Sequence, residues 1–147
     1  LEDNRAGLWK AEETNETIDF KCMSELRNVE GLIKDALIFL NGFDVKYPWQ
    51  FKLLLRELLI NALIHGNRND SSKMIYCTIE VEDDRLVTIT VEDEGNGFDY
   101  RNVNLTIPAD PRKLQKRGFP LINAICDEIS FNSVGNQVTV KVDLDED

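Results

Sequence analysis

The sequence lacks several features that mark membrane, secreted or zinc-binding proteins. No apolar run approaches the roughly 20 residues that a membrane-spanning helix requires, and the first residues do not resemble a signal peptide. The three cysteines, Cys22, Cys77 and Cys126, form no CxxC pair, which argues against a disulfide framework and against a zinc site. We therefore expect a cytoplasmic protein whose cysteines act as small buried apolar residues.

Positive charge is also scarce, with 17 Lys and Arg against 27 Asp and Glu and a net charge of −10. This balance argues against nucleic acid or an anionic membrane as a partner. The basic residues that remain are concentrated in one segment, where Asp110 is the sole acidic residue between Arg101 and Arg117. That segment contains Arg101, Arg112, Lys113, Lys116 and Arg117. A site for an anionic ligand is therefore expected there.

Internal repeats and low-complexity tracts are absent, and 147 residues suit a single domain. Residues 1–15 are polar and are expected to be an N-terminal extension or linker, which leaves 16–147 as the folded domain. Because the chain begins with Leu1 rather than Met, a further domain upstream is an open alternative.

Apolar residues recur at helical spacing in three segments. The first follows Ser24, a residue typical of a helix N-cap, and ends at Asn41-Gly42. The second runs from Pro48 to about His65 and ends at Gly66, and the third covers about 119–127.

Five segments have the alternating pattern of strands, at 17–22, 74–81, 86–91, 128–133 and 137–144. The order of helices and strands predicts an α+β two-layer sandwich. We expect a mixed, mostly antiparallel sheet of about five strands with three helices on one face. Residues 94–117 show no sustained periodicity, and a connection of this length in a small domain is usually functional.

The second predicted helix carries a line of polar residues. Glu57, Asn61 and His65 are four residues apart, so they project from nearly one face of an otherwise apolar helix. A carboxylate beside an amide oxygen suits magnesium, and a carboxylate not bound to metal can act as a general base. The alternative is a solvated polar stripe, and His65 beside Gly66 is better explained as a helix-end residue than as a ligand.

The third predicted strand ends in an acidic, glycine-spaced loop, Asp93-Glu94-Gly95-Asn96-Gly97. Glycines two residues apart let the backbone approach a ligand closely. An aspartate at the end of a strand can accept a hydrogen bond from an exocyclic amine such as that of adenine. The alternative is an ordinary acidic turn.

A basic stretch at 111–118 directly precedes the third predicted helix. Backbone N–H groups at a helix N-terminus attract anions, and flanking basic side chains such as Lys116 and Arg117 strengthen the attraction. A basic loop that closes over phosphates would explain its length and charge. The alternative is a solvated basic loop.

The order of these three motifs resembles the ATPase superfamily of gyrase, Hsp90, histidine kinases and MutL (the Bergerat fold) over about residues 16–144. Within this superfamily, the sequences from Glu57 to Gly66 and from Arg117 to Ile122 are most similar to those of the anti-sigma-factor serine kinases. The resemblance implies a homodimeric kinase that uses ATP and Mg²⁺, with a flexible ATP lid at about 99–117. It also implies that the kinase phosphorylates a STAS-domain anti-anti-sigma partner and regulates a sigma factor.

The resemblance also assigns roles to individual residues. Glu57 would be the catalytic general base, Asn61 the magnesium ligand and Asp93 the acceptor for the adenine amine. The residues expected to contact the nucleotide are Asn61, Asp93, Gly95, Gly97, Lys116, Arg117 and Gly118.

One position departs from the family pattern, which usually has Gly-x-Gly before the third helix. Here Lys116 takes the place of the first glycine, where its ammonium group could bind the γ-phosphate or its side chain could obstruct the backbone. Two hypotheses therefore stay open. One is a protein-serine kinase, and the other is a catalytically weak or inactive nucleotide-binding module that captures a regulatory protein. A sensor histidine kinase is disfavoured because His65, the sole histidine, lies inside the first motif.

Overall fold

The computed structural model describes residues 2–5, 7–13, 16–97 and 118–145, which contain seven strands and three α-helices. The strands are β1 (Glu2–Arg5), β2 (Leu8–Glu13), β3 (Thr17–Met23), β4 (Met74–Glu82), β5 (Leu86–Glu92), β6 (Glu128–Phe131) and β7 (Gln137–Asp143). The α-helices are α1 (Leu26–Leu40), α2 (Pro48–Asn61) and α3 (Gly118–Ile125). A single π-helical turn, Ala62–Gly66, continues α2.

The strands form one sheet in the order β1-β2-β3-β4-β5-β7-β6. The predicted α+β class is confirmed, although every described strand pair is antiparallel rather than mixed. Two strands beyond the five predicted, β1 and β2, lie within residues 1–15. Polar segments such as these give no alternating signal, and β2 joins the sheet by pairing Leu8 with Cys22 of β3.

The core lies between one face of the sheet and the helices. Alternate residues of four strands are buried on that face, as the period of two requires. They are Ile18, Phe20, Cys22, Ile75, Cys77, Ile79, Val81, Val87, Ile89, Val91, Val138, Val140 and Val142. The predicted apolar stripe of α2 is confirmed in full, since Phe51, Leu54, Leu55, Leu58, Leu59, Ala62 and Leu63 are all buried. Among the described residues, no helix combines the length and the apolar character that crossing a membrane requires.

The predicted N-cap at Ser24 is wrong. Glu25 occupies the N-cap position of α1, and its side chain makes no capping hydrogen bond. The Ser24 hydroxyl instead donates to the Lys73 carbonyl at 2.9 Å and accepts from the Asn67 amide at 2.6 Å. Competition from a partner 43 residues away along the chain therefore overrides the local capping preference.

Two tight connections lie at opposite ends of the sheet. At one end Glu82 pairs with Leu86, and the connecting residues Asp83 and Asp84 both have φ of 55°, as the central residues of a type I′ turn require. The loop between β6 and β7 is organised by Asn132, whose Oδ1 accepts N–H groups of Gly135 and Asn136 at 2.7 and 3.0 Å. This loop includes the predicted Gly135-Asn136 turn.

The packing of α2 leads to a stability prediction. Phe51 is fully buried, so Phe51→Ala should lower the free energy of unfolding by about 3–5 kcal/mol. Trp49, two residues earlier, is 58% exposed, and Trp49→Ala should change it by no more than about 0.5 kcal/mol. Urea denaturation of both variants measures the difference, and equal losses would contradict the assigned orientation of α2.

Candidate functional site

The second predicted helix ends in a π-helical turn, which is wider than the α-helical turn predicted there. After Asn61 the chain forms a π-helical turn, in which the Asn67 N–H donates to the Ala62 carbonyl at 2.8 Å. The predicted regular helix to His65 is therefore wrong in its last turn, and the His65 side chain is exposed. Single π-helical turns are rare and often occur at functional sites.

The π-helical turn lies directly against the acidic, glycine-spaced loop that follows β5. A Cβ added to Gly66 would lie 2.2 Å from Asp93 Oδ2, and one added to Gly95 would lie 2.1 Å from the Gly66 carbonyl oxygen. Both distances are far below van der Waals contact, so neither position has room for a side chain. The structure thus brings the loop that contains Asp93 to the end of the helix that carries Glu57 and Asn61.

The loop between β6 and β7 holds the other side of the Asp93 loop. The Asp93 N–H donates to the Asn136 carbonyl at 2.9 Å, and the Asn136 side-chain amide donates to the Asp93 carbonyl at 3.2 Å. Gly97 has φ of 84°, and a Cβ added there would lie 2.0 Å from the Val134 carbonyl oxygen. Gly95 and Gly97 therefore permit close approach of protein backbone, while their contact with a nucleotide stays a prediction.

Among the described residues, one of the two carboxylate oxygens of Asp93 accepts a hydrogen bond and the other does not. Oδ1 accepts the Gly95 N–H at 2.8 Å, whereas Oδ2 has no hydrogen-bond partner among the described residues. Burial raises the pKa of Asp93 above its ordinary value, an effect that the Gly95 N–H partly opposes. A half-buried carboxylate with a free oxygen is suited to accept a hydrogen bond from an amine.

Glu57 and Asn61 lie one turn apart at the end of α2. Burial raises the pKa of Glu57 above its usual value, and the neighbouring Arg56 partly opposes the shift. The Asn61 side-chain nitrogen is buried without a hydrogen-bond partner in the part of the chain that the structure describes. Because a buried polar atom without a partner costs about 1–3 kcal/mol, such an atom in a native protein calls for a partner, such as an ordered water or a bound ligand.

The Asn61 amide also fits a nucleotide with magnesium. Its nitrogen could donate to a phosphate oxygen, and rotation of the amide would place its oxygen, a ligand that magnesium accepts, at the same position. Glu57 and Asp93 are carboxylates of the same two motifs, predicted as the base and the amine acceptor. The described residues thus fit the group that the motifs predict.

Asn67 is a further residue of the candidate site, and none of the three sequence motifs includes it. It is 0% exposed, and its Oδ1 accepts the Glu94 N–H at 2.8 Å. Its amide nitrogen donates to the Met74 carbonyl at 2.9 Å and to Ser24 Oγ at 2.6 Å. An asparagine after a helix-ending glycine is a common turn residue, so its position next to Gly66 was the one available signal.

The triphosphate end of the predicted site is described only in part. Gly118 is the first residue of α3, which confirms a glycine at the start of that helix. Helix α3 packs against α2, and its Ile122 side chain is fully buried. Lys116, Arg117 and the predicted lid at 99–117 lie outside the described residues.

Residues 22–142 match the family model of the histidine kinase-like ATPase domain. The chain is 31% identical over 131 residues to the anti-sigma F factor of Shouchella clausii strain KSM-K16, covering 85% of this chain and 89% of that protein. It is 28% and 29% identical over 93 residues to the anti-sigma F factors of Geobacillus sp. strain WCH70 and Geobacillus thermodenitrificans. These two alignments cover 61% of this chain and 63% of each relative.

The close contact between Gly95 and Gly66 leads to a second prediction. Gly95→Ala forces a methyl group against the Gly66 carbonyl oxygen, so it should lower the free energy of unfolding by about 1–3 kcal/mol. It should also shift the amide resonances of Asp93 and Asn67. Gly42→Ala is the matched control, because its Cβ would lie 3.3 Å from the nearest atom, the Phe39 carbonyl oxygen. Urea denaturation and amide spectra that are unchanged in Gly95→Ala would contradict the contact.

Proposed function

Since the chain belongs to the family of histidine kinase-like ATPase domains, we propose that it is an ATP- and Mg²⁺-dependent protein-serine kinase of the anti-sigma-factor type. Its phosphate acceptor is a serine of a STAS-domain anti-anti-sigma protein. Its role is to regulate a sigma factor, in line with its similarity to anti-sigma F factors. The observation that carries the proposal is the direct contact between the end of the Glu57 helix and the Asp93 loop.

Asp93 recognises the adenine base in this proposal. Its Oδ2, which has no hydrogen-bond partner among the described residues, accepts a hydrogen bond from the exocyclic amine. Gly95 and Gly97 keep the loop backbone free of side chains beside the base. The loop is held from both sides by protein contacts, so the carboxylate is positioned before the nucleotide arrives.

Glu57 acts as the general base for transfer. Its carboxylate takes the proton of the acceptor serine, while the bond from the serine oxygen to the γ-phosphorus forms and the bond from phosphorus to ADP breaks. The raised pKa of Glu57 makes the carboxylate a stronger base near neutral pH. Asn61 holds the magnesium ion, which neutralises charge on the phosphate oxygens.

Lys116, Arg117 and Gly118 are proposed to contact the triphosphate. Gly118 starts α3, and the start of a helix attracts anions, although Pro120 contributes no N–H group there. We further propose a cytoplasmic homodimer, and β1 at the edge of the sheet offers unpaired backbone groups for such an association. With a net charge of −10, nucleic acid and membranes are not proposed as direct partners.

The alternative is a nucleotide-binding interaction module with weak or no transferase activity. The specific observation in its favour is Lys116, which replaces the first glycine of the family pattern. Such a module would capture the same regulatory proteins but leave ATP uncleaved.

The kinase proposal predicts separate effects of Glu57 on transfer and on binding. Glu57→Gln should lower transfer of labelled γ-phosphate to a purified STAS-domain protein by at least about 100-fold, because the general base is lost. The dissociation constant for Mg-ATP, measured by calorimetry, should change by less than about threefold, since Glu57 does not hold the nucleotide. Glu80→Gln, an exposed glutamate of β4, is the matched control and should leave both quantities unchanged.

The outcomes separate the two hypotheses. Binding without transfer in the natural protein supports the module, whereas absence of any binding heat for Mg-ATP contradicts both. Transfer that is unaffected by Glu57→Gln removes Glu57 from the mechanism.

The raised pKa of Glu57 predicts the pH dependence of transfer. Burial favours the protonated carboxyl, so the base is lost at a higher pH than the ordinary glutamate value of 4.5 would give. The transfer rate should therefore fall as the pH decreases, with a midpoint above that value. Arg56→Ala removes the charge that opposes the shift and should move the midpoint further upward. A rate profile in which the Arg56→Ala midpoint moves downward would contradict the assignment.

A further inference from the structure

We propose that Asn67 and Asn136 form a clamp on the peptide bond between Asp93 and Glu94, and that this clamp determines the preference of the site for adenine. Asn67 is thus a positioning residue that acts through Asp93. The inference rests on the proposed nucleotide site and adds residues that none of the motifs contains.

The two asparagines hold opposite sides of one peptide group. The Glu94 N–H donates to Asn67 Oδ1 at 2.8 Å, and the Asp93 carbonyl accepts from Asn136 Nδ2 at 3.2 Å. These are the two polar atoms of a single planar unit, so both hydrogen bonds together oppose its rotation. The clamp joins the end of α2 to the loop between β6 and β7 through the loop that binds the base.

The orientation of this peptide controls the Asp93 carboxylate. Rotation about the bonds of Asp93 is the motion that would turn its side chain away, and the Asp93 N–H is also fixed, on the Asn136 carbonyl at 2.9 Å. Within the loop, Asp93 Oδ1 accepts the Gly95 N–H at 2.8 Å. With these contacts made, Oδ2 is the carboxylate oxygen left for a ligand.

Asn67 is well suited to hold the loop because it is itself fixed. Its amide nitrogen donates to the Met74 carbonyl and to Ser24 Oγ, and Ser24 in turn donates to the Lys73 carbonyl. Each terminal atom of this fully buried amide therefore has a partner in the structure. Because the Asn67 side chain is held in one orientation, its hydrogen bond to Glu94 fixes the loop relative to the end of α2.

A purely structural role for Asn67 would not change the selectivity for ATP over GTP, so the test needs a control residue with similar burial. Asn28 in α1 is 4% exposed and donates from its amide to the Met23 carbonyl at 3.2 Å. Among the described residues, its side chain makes no hydrogen bond to the Asp93 loop. Asn28→Ala therefore removes a buried asparagine and its hydrogen bond without altering the clamp.

The test compares ATP with GTP, since guanine has a carbonyl oxygen where adenine has its amine. Calorimetry should show that Asn67→Ala and Asn136→Ala each weaken Mg-ATP binding by about tenfold, with little change for Mg-GTP. The selectivity for ATP over GTP thus falls by the same factor. Asn28→Ala should keep the selectivity within about twofold of the natural protein. Asn67→Asp keeps the acceptor for the Glu94 N–H and should preserve most of the selectivity, although the protein becomes less stable.

A second measurement does not depend on nucleotide binding. In the nucleotide-free protein, hydrogen exchange of the Glu94 amide should be faster by about tenfold in Asn67→Ala than in Asn28→Ala. Unchanged exchange, or unchanged selectivity in Asn67→Ala, would overturn the inference. If the natural protein binds neither nucleotide, the proposed function fails, while the exchange rate of Glu94 still decides whether Asn67 positions the loop.

Discussion

The arrangement of the site depends on one close approach of two backbone segments, at the point where the π-helical turn after α2 meets the loop after β5. The approach requires glycine on both sides, because a Cβ on Gly66 or on Gly95 would overlap the other segment. Replacing the π-helical turn with a regular helical turn would rotate Gly66 and Asn67 away from the loop. The irregular turn is therefore the feature that brings two separate motifs together.

The same junction explains why polar residues are tolerated beside an apolar layer. Helix α2 buries a broad apolar stripe against the sheet, and Glu57 and Asn61 lie on its margin, half-buried. Burial disfavours the charged form of Glu57 and leaves the Asn61 nitrogen without a partner. Both effects lower stability in the absence of a ligand, and the second would be relieved when a ligand accepts a hydrogen bond from the Asn61 nitrogen.

Periodicity predicted the parts of this structure that are determined locally. The buried stripe of α2 and the alternation of β4 and β5 follow from the order of apolar residues alone, and the structure confirms both. The two N-terminal strands could not be predicted, because they are polar and are held by pairing with β3. Ser24 was predicted wrongly for a related reason, since its hydroxyl bonds to residues distant in sequence rather than to the start of α1.

The structure bears on only part of the predicted site. Asp93, Gly95 and Asn61 belong to motifs that are short and continuous, and the structure places the Asp93 loop against the end of the helix that carries Asn61, while their contacts with a nucleotide stay predictions. Asn67 and Asn136 escaped prediction because each contributes through long-range hydrogen bonds to the loop, which leave no periodic or compositional trace. Residues that hold a motif in position are in general less visible in a sequence than the motif itself.

The choice between kinase and binding module concerns only one end of the site. Contacts to the adenine are the same before and during transfer, so Asp93 and the residues that hold it affect affinity and leave the rate of the bound complex unchanged. Contacts to the γ-phosphate change as the bond breaks, and only these raise the rate. The end of the site that we propose for the adenine is therefore compatible with both hypotheses. Glu57 is the described residue that distinguishes them, because a half-buried carboxylate with a raised pKa lowers stability and has no part in the proposed nucleotide capture. Its presence on the margin of α2 favours the kinase.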